Sequence, residues 1–342
     1  MSPVLMCPPG GNHMNTRKAA VEIAWNGAAA AGTLGQYQTS ATYTDPASGE
    51  ADSFDLSLHD RDRQWIGPWL PQVGDTLSAV ICLTDWDRAG DNRSLPCGSF
   101  VLDKFDFSGW PVTGNIAGVS VPADSAFRET QRTRTWENIT VEEIGKEIAA
   151  RAGISLAWDV DGGPIIIKSE EQSEKTDCDF YMGLCETYGL AMKVYAQKIV
   201  VYDREAYKAR PPVATLTPDM LLSWSWSSQL TGTYTGGEYA YTDPSTEKEV
   251  KVQVGSGPRI LKKSGRVDSR ADAERKLWAA IHQANHGSTK LSLSMRGTAS
   301  LVASQCVMVE ELGWLGGKYF IDSIIHHIGG GYTMDLELSR VE

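Results

Sequence analysis

Residues able to do chemistry fall into six groups along the chain. His326 and His327 are adjacent and lead into Gly329-Gly330-Gly331, and two imidazoles side by side suggest a metal. The stretch alternates as a strand, however, so the two rings point to opposite faces and cannot grip one ion. His282 and His286 are four residues apart on an expected helix and share a face, which is workable metal geometry. The residues between them are Gln283, Ala284 and Asn285, so the glutamate of a zinc-protease motif is missing. A capping or surface role for His286 near the helix C-terminus fits better. Asp60, Asp62, Asp85, Asp87 and Asp91 cluster in loops and could offer oxygen ligands to calcium. They lack EF-hand spacing and its terminal glutamate, and are expected to be solvated loop charge.

Three further groups remain. Glu142 and Glu143 are neighbouring carboxylates at a helix start, where they suit capping and the helix dipole rather than a glycosidase pair. Trp65, Trp69, Trp86 and Trp110 could stack on sugars, but aromatic side chains of this kind more often fill a core or an interface. Cys178 and Cys185 have no histidine nearby to complete a zinc site, and all six cysteines are expected to be reduced, buried thiols. Neither a G-x-S-x-G elbow, a phosphate-binding loop nor a dinucleotide fingerprint occurs between a strand and a helix. No catalytic, cofactor-binding or metal-ligating residue is therefore assigned, and the chain is not expected to be an enzyme.

The elements that would position such residues are mostly strands. The 342 residues suffice for two or three domains, and 33 glycines with 11 tryptophans point to a β-rich protein with tight turns. A formal net charge of −11 argues against a dedicated nucleic-acid binder, which needs cations to displace counterions from phosphate. It is compatible with a surface past which nucleic acid slides without sticking, but charge alone favours simple solubility. No apolar run reaches the roughly 20 residues of a membrane helix, and the N-terminus lacks the apolar core of a signal peptide.

Residues 1–17, with Pro8-Pro9-Gly10-Gly11, read as a loose leader. Residues 18–121 read as strands throughout: Val21, Ile23 and Trp25 alternate before an Asn26-Gly27 hairpin turn. A turn at Tyr43–Gly49 leads to Phe54, Leu56 and Leu58. Strands are expected at Thr76–Leu83, Cys97–Asp103 and Asn115–Val121. Residues 122–212 form a small α/β unit. There Thr140-Val141-Glu142-Glu143 is a capping box with Ile139 and Ile144 as its staple, and Gly153 ends the helix. Ile165-Ile166-Ile167 is a short buried strand, a second helix covers about 179–188, and a hairpin runs from Ala191 to Tyr202. Arg210-Pro211-Pro212 is the exit linker. Residues 213–342 return to strands, interrupted by a helix at about 269–286 with Ala273, Leu277, Ala280, Ile281 and Ala284 inward. Alternation at Val307–Val309, Gly317–Asp322 and Tyr332–Leu338 closes the chain.

Two local matches link the β segments. Gly98-Ser99-Phe100-Val101-Leu102-Asp103 aligns with Gly317-Lys318-Tyr319-Phe320-Ile321-Asp322. Tyr43-Thr44-Asp45-Pro46 recurs as Tyr241-Thr242-Asp243-Pro244. Their common order suggests a duplicated β domain, and three copies of such a chain present six similar units around an axis.

With these features the chain resembles baseplate hub proteins of the late-control-D type, found in tailed phages, tailocins and contractile injection systems. The resemblance rests on the repeated hairpin with its valine strand, the alanine-rich helix, the unit Glu186–Glu205 and the ending from Gly316 to Arg340. It implies an α+β, mostly β fold: two tail-tube-like antiparallel β-barrels with an intervening small α/β domain and a helical insertion. It further implies a homotrimer with pseudo-six-fold symmetry joining the hexameric tail tube to a trimeric spike. Tape-measure and baseplate wedge proteins would be further partners, and DNA would pass through the channel without specific binding. The location implied is the tail baseplate, after assembly in the bacterial cytoplasm, without membrane insertion. The chain carries no β-helix or lytic domain after Glu342, so the spike is expected to be a separate protein. A sugar-binding or cell-wall-hydrolysing β protein is the alternative, and a secretion-tip protein with a fused spike is a third.

Overall fold

The computed structural model describes residues 16–29, 34–120, 126–242 and 248–341; most of the expected leader lies outside them. β1 (Lys18–Trp25) and β2 (Ala28–Ala29) form a hairpin. Its turn residues Asn26 and Gly27 both have positive φ, 48° and 77°, as a tight turn matched to the strand twist requires. β3 (Gln38–Pro46), β4 (Ser53–His59), β5 (Thr76–Thr84), β6 (Arg93–Ser108) and β7 (Thr113–Val119) come next. The expected turn at Tyr43 is in fact the end of β3: Tyr43 and Asp45 point into the core, and the chain turns only after Pro46.

The middle region holds α1 (Ala126–Glu129), β8 (Gln131–Thr140), α2 (Val141–Arg151), β9 (Ser155–Asp159), β10 (Ile166–Thr176), α3 (Asp177–Thr187), β11 (Leu190–Tyr195), β12 (Lys198–Asp203) and α4 (Arg204–Ala209). Thr140 and Glu143 form the reciprocal capping box read from the sequence, which satisfies donors that the first turn leaves orphaned. The short strand expected at Ile165-Ile166-Ile167 instead starts at Ile166 and runs for eleven residues, paired along its length with β8. Its polar second half hides it from a search for apolar runs. One core, built on Trp136, Ile144, Ile148, Tyr181, Leu184, Ile199 and Val201, holds this region together.

β13 (Ala214–Leu216), β14 (Leu221–Ser228), β15 (Gly236–Thr242), β16 (Glu249–Gly255), β17 (Ile260–Ser264), α5 (Arg270–Asn285), β18 (Thr289–Arg296), β19 (Cys306–Val309), β20 (Gly317–Ile328) and β21 (Tyr332–Arg340) complete the chain. β15, β16 and β17 form a sheet of their own, packed on α5 around Tyr239, Val252, Leu277 and Ile281. This unit is inserted between β14 and β18, which pair directly with each other through Ser228 and Thr289.

Thirteen strands from the first and last regions form one continuous sheet, in the order β14-β18-β21-β20-β3-β4-β7-β6-β5-β1-β2, with β19 and β13 branching from β20. Its two halves repeat one plan. β5-β6-β7-β4-β3 and β19-β20-β21-β18-β14 have the same order, and every pairing within them is antiparallel. Gly98 aligns with Gly317 at a position of positive φ, 100° and 138°. Asp103 and Asp322 are each the residue skipped by a bulge in the pairing with the next strand. A second bulge skips Thr39 in β3 and Leu222 in β14. Bulges sit at specific places because they bend a strand and re-aim its later side chains, so two coincident bulges are strong support for duplication. The second sequence match has no such support: Tyr241 and Thr242 end β15, outside the large sheet, and Asp243 and Pro244 lie outside the described residues. Each half has its own core, centred on Phe54, Leu56, Ile81 and Phe100 in the first and Leu291, Tyr319, Ile324 and Leu336 in the second.

Candidate assembly surface

The two halves meet where β3 pairs with the second half of β20, from Ser323 opposite Pro46 to Ile328 opposite Ala41. The side chains at this joint decide its register. Tyr43 stacks on His326 opposite it, with ring centroids 5.5 Å apart and planes 12° from parallel. His326 is 0% exposed and its Nδ1 lies 2.8 Å from the Tyr332 hydroxyl. Burial pushes its pKa down to about 4, against the pull of Asp45, so the ring is neutral at physiological pH.

Beside this stack lies a buried ion cluster. Lys193 of β11 places Nζ 2.6 Å from Asp45 and 2.9 Å from Asp52, and donates to the Pro46 carbonyl at 3.0 Å. Asp45 also accepts from the Ala303 backbone at 2.8 Å, and the Tyr43 hydroxyl donates to Asp52 at 2.7 Å. The cluster thus ties β3, the middle region and the loop before β19 together. Burial raises Asp52 to about 6, with Lys193 pulling the other way and Asp45 adding to the rise. Burial also pulls Lys193 toward neutrality, but Asp45 and Asp52 more than offset it and hold its pKa above the ordinary value.

The face of the sheet away from the cores is polar. β14 presents Ser223, Ser225 and Ser227 there, β18 presents Ser292 and Ser294, and β21 presents Thr333, Asp335 and Glu337. Local hydrogen bonds order it: Ser57 to Asn115 at 3.0 Å, Ser292 to Glu337 at 2.9 Å, and His327 to Asp335 at 3.0 Å. Asp55, Asp106, Asp335 and Glu337 are set against Lys104, Lys290 and Arg296, so this face mixes both signs and is rich in hydroxyls.

The residues singled out for chemistry are dispersed. His326 is in the core and His327 on the polar face, as alternation requires. His282 and His286 turn to different partners, Glu205 at 4.0 Å and Asp322 at 3.1 Å, and His286 is the helix C-cap. Asp60 departs from the expectation of solvated charge. It is 0% exposed and accepts from the Trp65 and Ile66 backbone at 3.1 and 3.0 Å, fastening the loop after β4. Asp62 accepts from Tyr37 at 2.5 Å. Asp85 accepts from Gly90, and Asp87 and Asp91 bind Arg93. Among the described residues no three His, Cys, Asp or Glu side chains group to hold a metal, and no helix is long and apolar enough to cross a membrane. Glu142 pairs with Lys146, and Glu143 caps its helix. Trp65 and Trp86 are core residues, whereas Trp69 and Trp110 are exposed. Cys97, Cys178, Cys185 and Cys306 are free thiols, but Cys82 is disulfide-bonded, contrary to the all-reduced expectation. Sequence reasoning missed Lys193, Asp45 and Asp52, because buried ion partners this far apart in the chain have no local signature.

Known proteins share this architecture. No family model matches the chain. A probable baseplate hub protein of Escherichia phage P2 is 30% identical over 174 residues, covering 49% of this chain and 41% of that protein. Over that stretch the chain is similar to a phage baseplate hub protein. The matched region spans less than half of the P2 protein's length. Solved structures agree in fold over nearly the whole chain. A tail protein from Neisseria meningitidis superposes with a TM-score of 0.70 at 13% identity, covering 94% of this chain and 96% of that one. A prophage tail protein from Shewanella oneidensis gives 0.68 at 14% identity, covering 94% and 97%. A type VI secretion component from E. coli, described as structurally similar to phage T4 tail proteins, gives 0.58 at 11% identity, covering 96% and 77%. The mostly β fold, with barrel-like sheets and a smaller α/β region, is thus shared with these proteins.

Proposed function

We propose that this chain is the structural hub of a phage tail or tail-like particle, assembling as a homotrimeric ring that joins the hexameric tail tube to a trimeric spike. The observation that carries the reading is the duplicated five-strand unit within one sheet, β5-β6-β7-β4-β3 and β19-β20-β21-β18-β14. Three chains each holding two such units present six similar units, which reconciles three-fold and six-fold partners. The baseplate location and the tail-tube, spike, tape-measure and wedge partners belong to the same reading. So does the division into a first β unit at 18–121, an α/β unit at 122–212 and a second β unit at 213–342. The hydroxyl-rich face of the sheet, which mixes charges of both signs, is suited to a channel wall past which DNA or other cargo moves without being held. This role is geometric and involves no catalysis.

The test is the oligomeric state of the purified chain by analytical ultracentrifugation and electron microscopy, alone and with the tube protein of its particle. Three chains around a pore are expected. A persistent monomer that forms no ring with tube or spike protein would overturn the proposal.

A further inference from the structure

Among the open edges of the large sheet in the described residues, which include β1, β2 and β13, two stretches match strands that are paired inside the chain. β14 is its outermost strand and pairs only with β18. The second half of β6, Lys104–Ser108, pairs only with β7, because β5 ends its pairing at Val101. The duplication gives each stretch a counterpart that is paired. β14 corresponds to β3, with the Leu222 bulge matching the Thr39 bulge. Lys104–Ser108 corresponds to Ser323–His327 of β20, each coming directly after a bulged aspartate. Those two counterparts are the strands that pair at the joint inside the chain.

We infer that β14 of one copy adds antiparallel to Lys104–Ser108 of the next copy, in the register of the internal β3–β20 joint. The occupant of both open edges is therefore a second copy of this chain, and the contact is head-to-tail. Matching the alignments residue by residue places Ser225 opposite Ser108 where Thr42 is opposite His327. Trp226 falls opposite Phe107 where Tyr43 is opposite His326. An aromatic pair in the internal joint is thus replaced by an aromatic pair in the external one, and Trp226 and Phe107 are both only half-buried in the single chain. Leu222 and Trp224, 65% and 47% exposed, belong to the same edge strand. A long edge carrying apolar side chains invites pairing with another chain, and one rotation repeated head-to-tail gives either a closed ring or a filament. The inference rests on the hub reading for the number of copies and adds the strands and register that close the ring.

The experiment uses the full chain carrying Ser108→Cys and Ser225→Cys together. Both serines are exposed on the polar face, and directly opposed residues lie about 4.5–5.5 Å apart, within disulfide reach. Mild oxidation should convert assembled protein into a covalent ladder that ends at the closed ring, with a disulfide between the two substituted positions found by mass spectrometry. Either single variant, or Ser108→Cys with Ser227→Cys, should give far less product. Trp224→Glu should weaken assembly by about tenfold or more while leaving the thermal unfolding of the single chain unchanged. A ring that forms without this cross-link, or that tolerates Trp224→Glu, overturns the edge pairing and leaves the hub reading intact. A chain that forms neither cross-link nor ring in the presence of tube protein overturns both.

Discussion

At the scale of single residues, the joint between the sheet halves depends on charges that the core can hold only in combination. Asp45 and Asp52 share Lys193, whose side chain is 13% exposed. Removing one member of a buried ion group is costlier than the group's net worth, because the others remain desolvated. Lys193→Met is therefore expected to lower stability by about 3–5 kcal/mol at neutral pH, measured by urea unfolding. Its pH dependence has a definite sign. A carboxyl whose folded pKa is raised, as Asp52 is to about 6 from 3.8, takes up its proton in the native state before the unfolded one. Stability from that group therefore rises as pH falls through this window. The deficit of Lys193→Met should be largest above pH 6 and shrink on acidification. A deficit independent of pH would place its origin in packing.

At the scale of elements, local propensity and tertiary packing can pull in opposite directions. Gly145 lies within α2, where alanine would ordinarily be favoured by about 1 kcal/mol. A Cβ built on Gly145 would lie 2.0 Å from the Tyr181 hydroxyl, which bonds the Val141 carbonyl at 3.1 Å. Gly145→Ala is thus expected to destabilise the protein by about 1–3 kcal/mol, read as a lower midpoint in chemical denaturation; an unchanged or higher midpoint would mean that α3 can withdraw. The same contest explains how much of this region was readable. Thr140 and Glu143 announce the start of α2 through local hydrogen bonds, so the sequence predicts it. β10 is held by its pairing with β8 and by few side chains facing a core, so its length was not legible from apolar spacing.

At the scale of the whole molecule, the large sheet is one plan used twice, and the unit of β15, β16, β17 and α5 is an insertion into the second use. Its core shares no residue with that of the sheet, and Ser228 and Thr289 already face each other across its base. Replacing residues 229–288 by Asn-Gly, a favoured two-residue hairpin connection, should leave a chain that unfolds cooperatively and retains the strand signature in circular dichroism. Collapse of that signature would show that the sheet depends on the insertion, whose Ala279 approaches the backbone of Gly189.

The duplication shows how far local pattern reaches. The match of Gly98–Asp103 with Gly317–Asp322 marks equivalent strands because a positive-φ glycine and a bulged aspartate are local demands that leave a local imprint. The YTDP match fails because turn vocabulary recurs wherever a chain reverses. Alternation, capping and turn chemistry thus determined by sequence alone that the chain is mostly β, where α2 starts and where α5 lies, and why His326 and His327 cannot share an ion. The joining of the halves into one sheet, the burial of Lys193 between two aspartates and the open edges of β6 and β14 were decided only by tertiary structure. Each of these depends on which distant strands become neighbours, and strand pairing across hundreds of residues is set by the packing of the whole molecule.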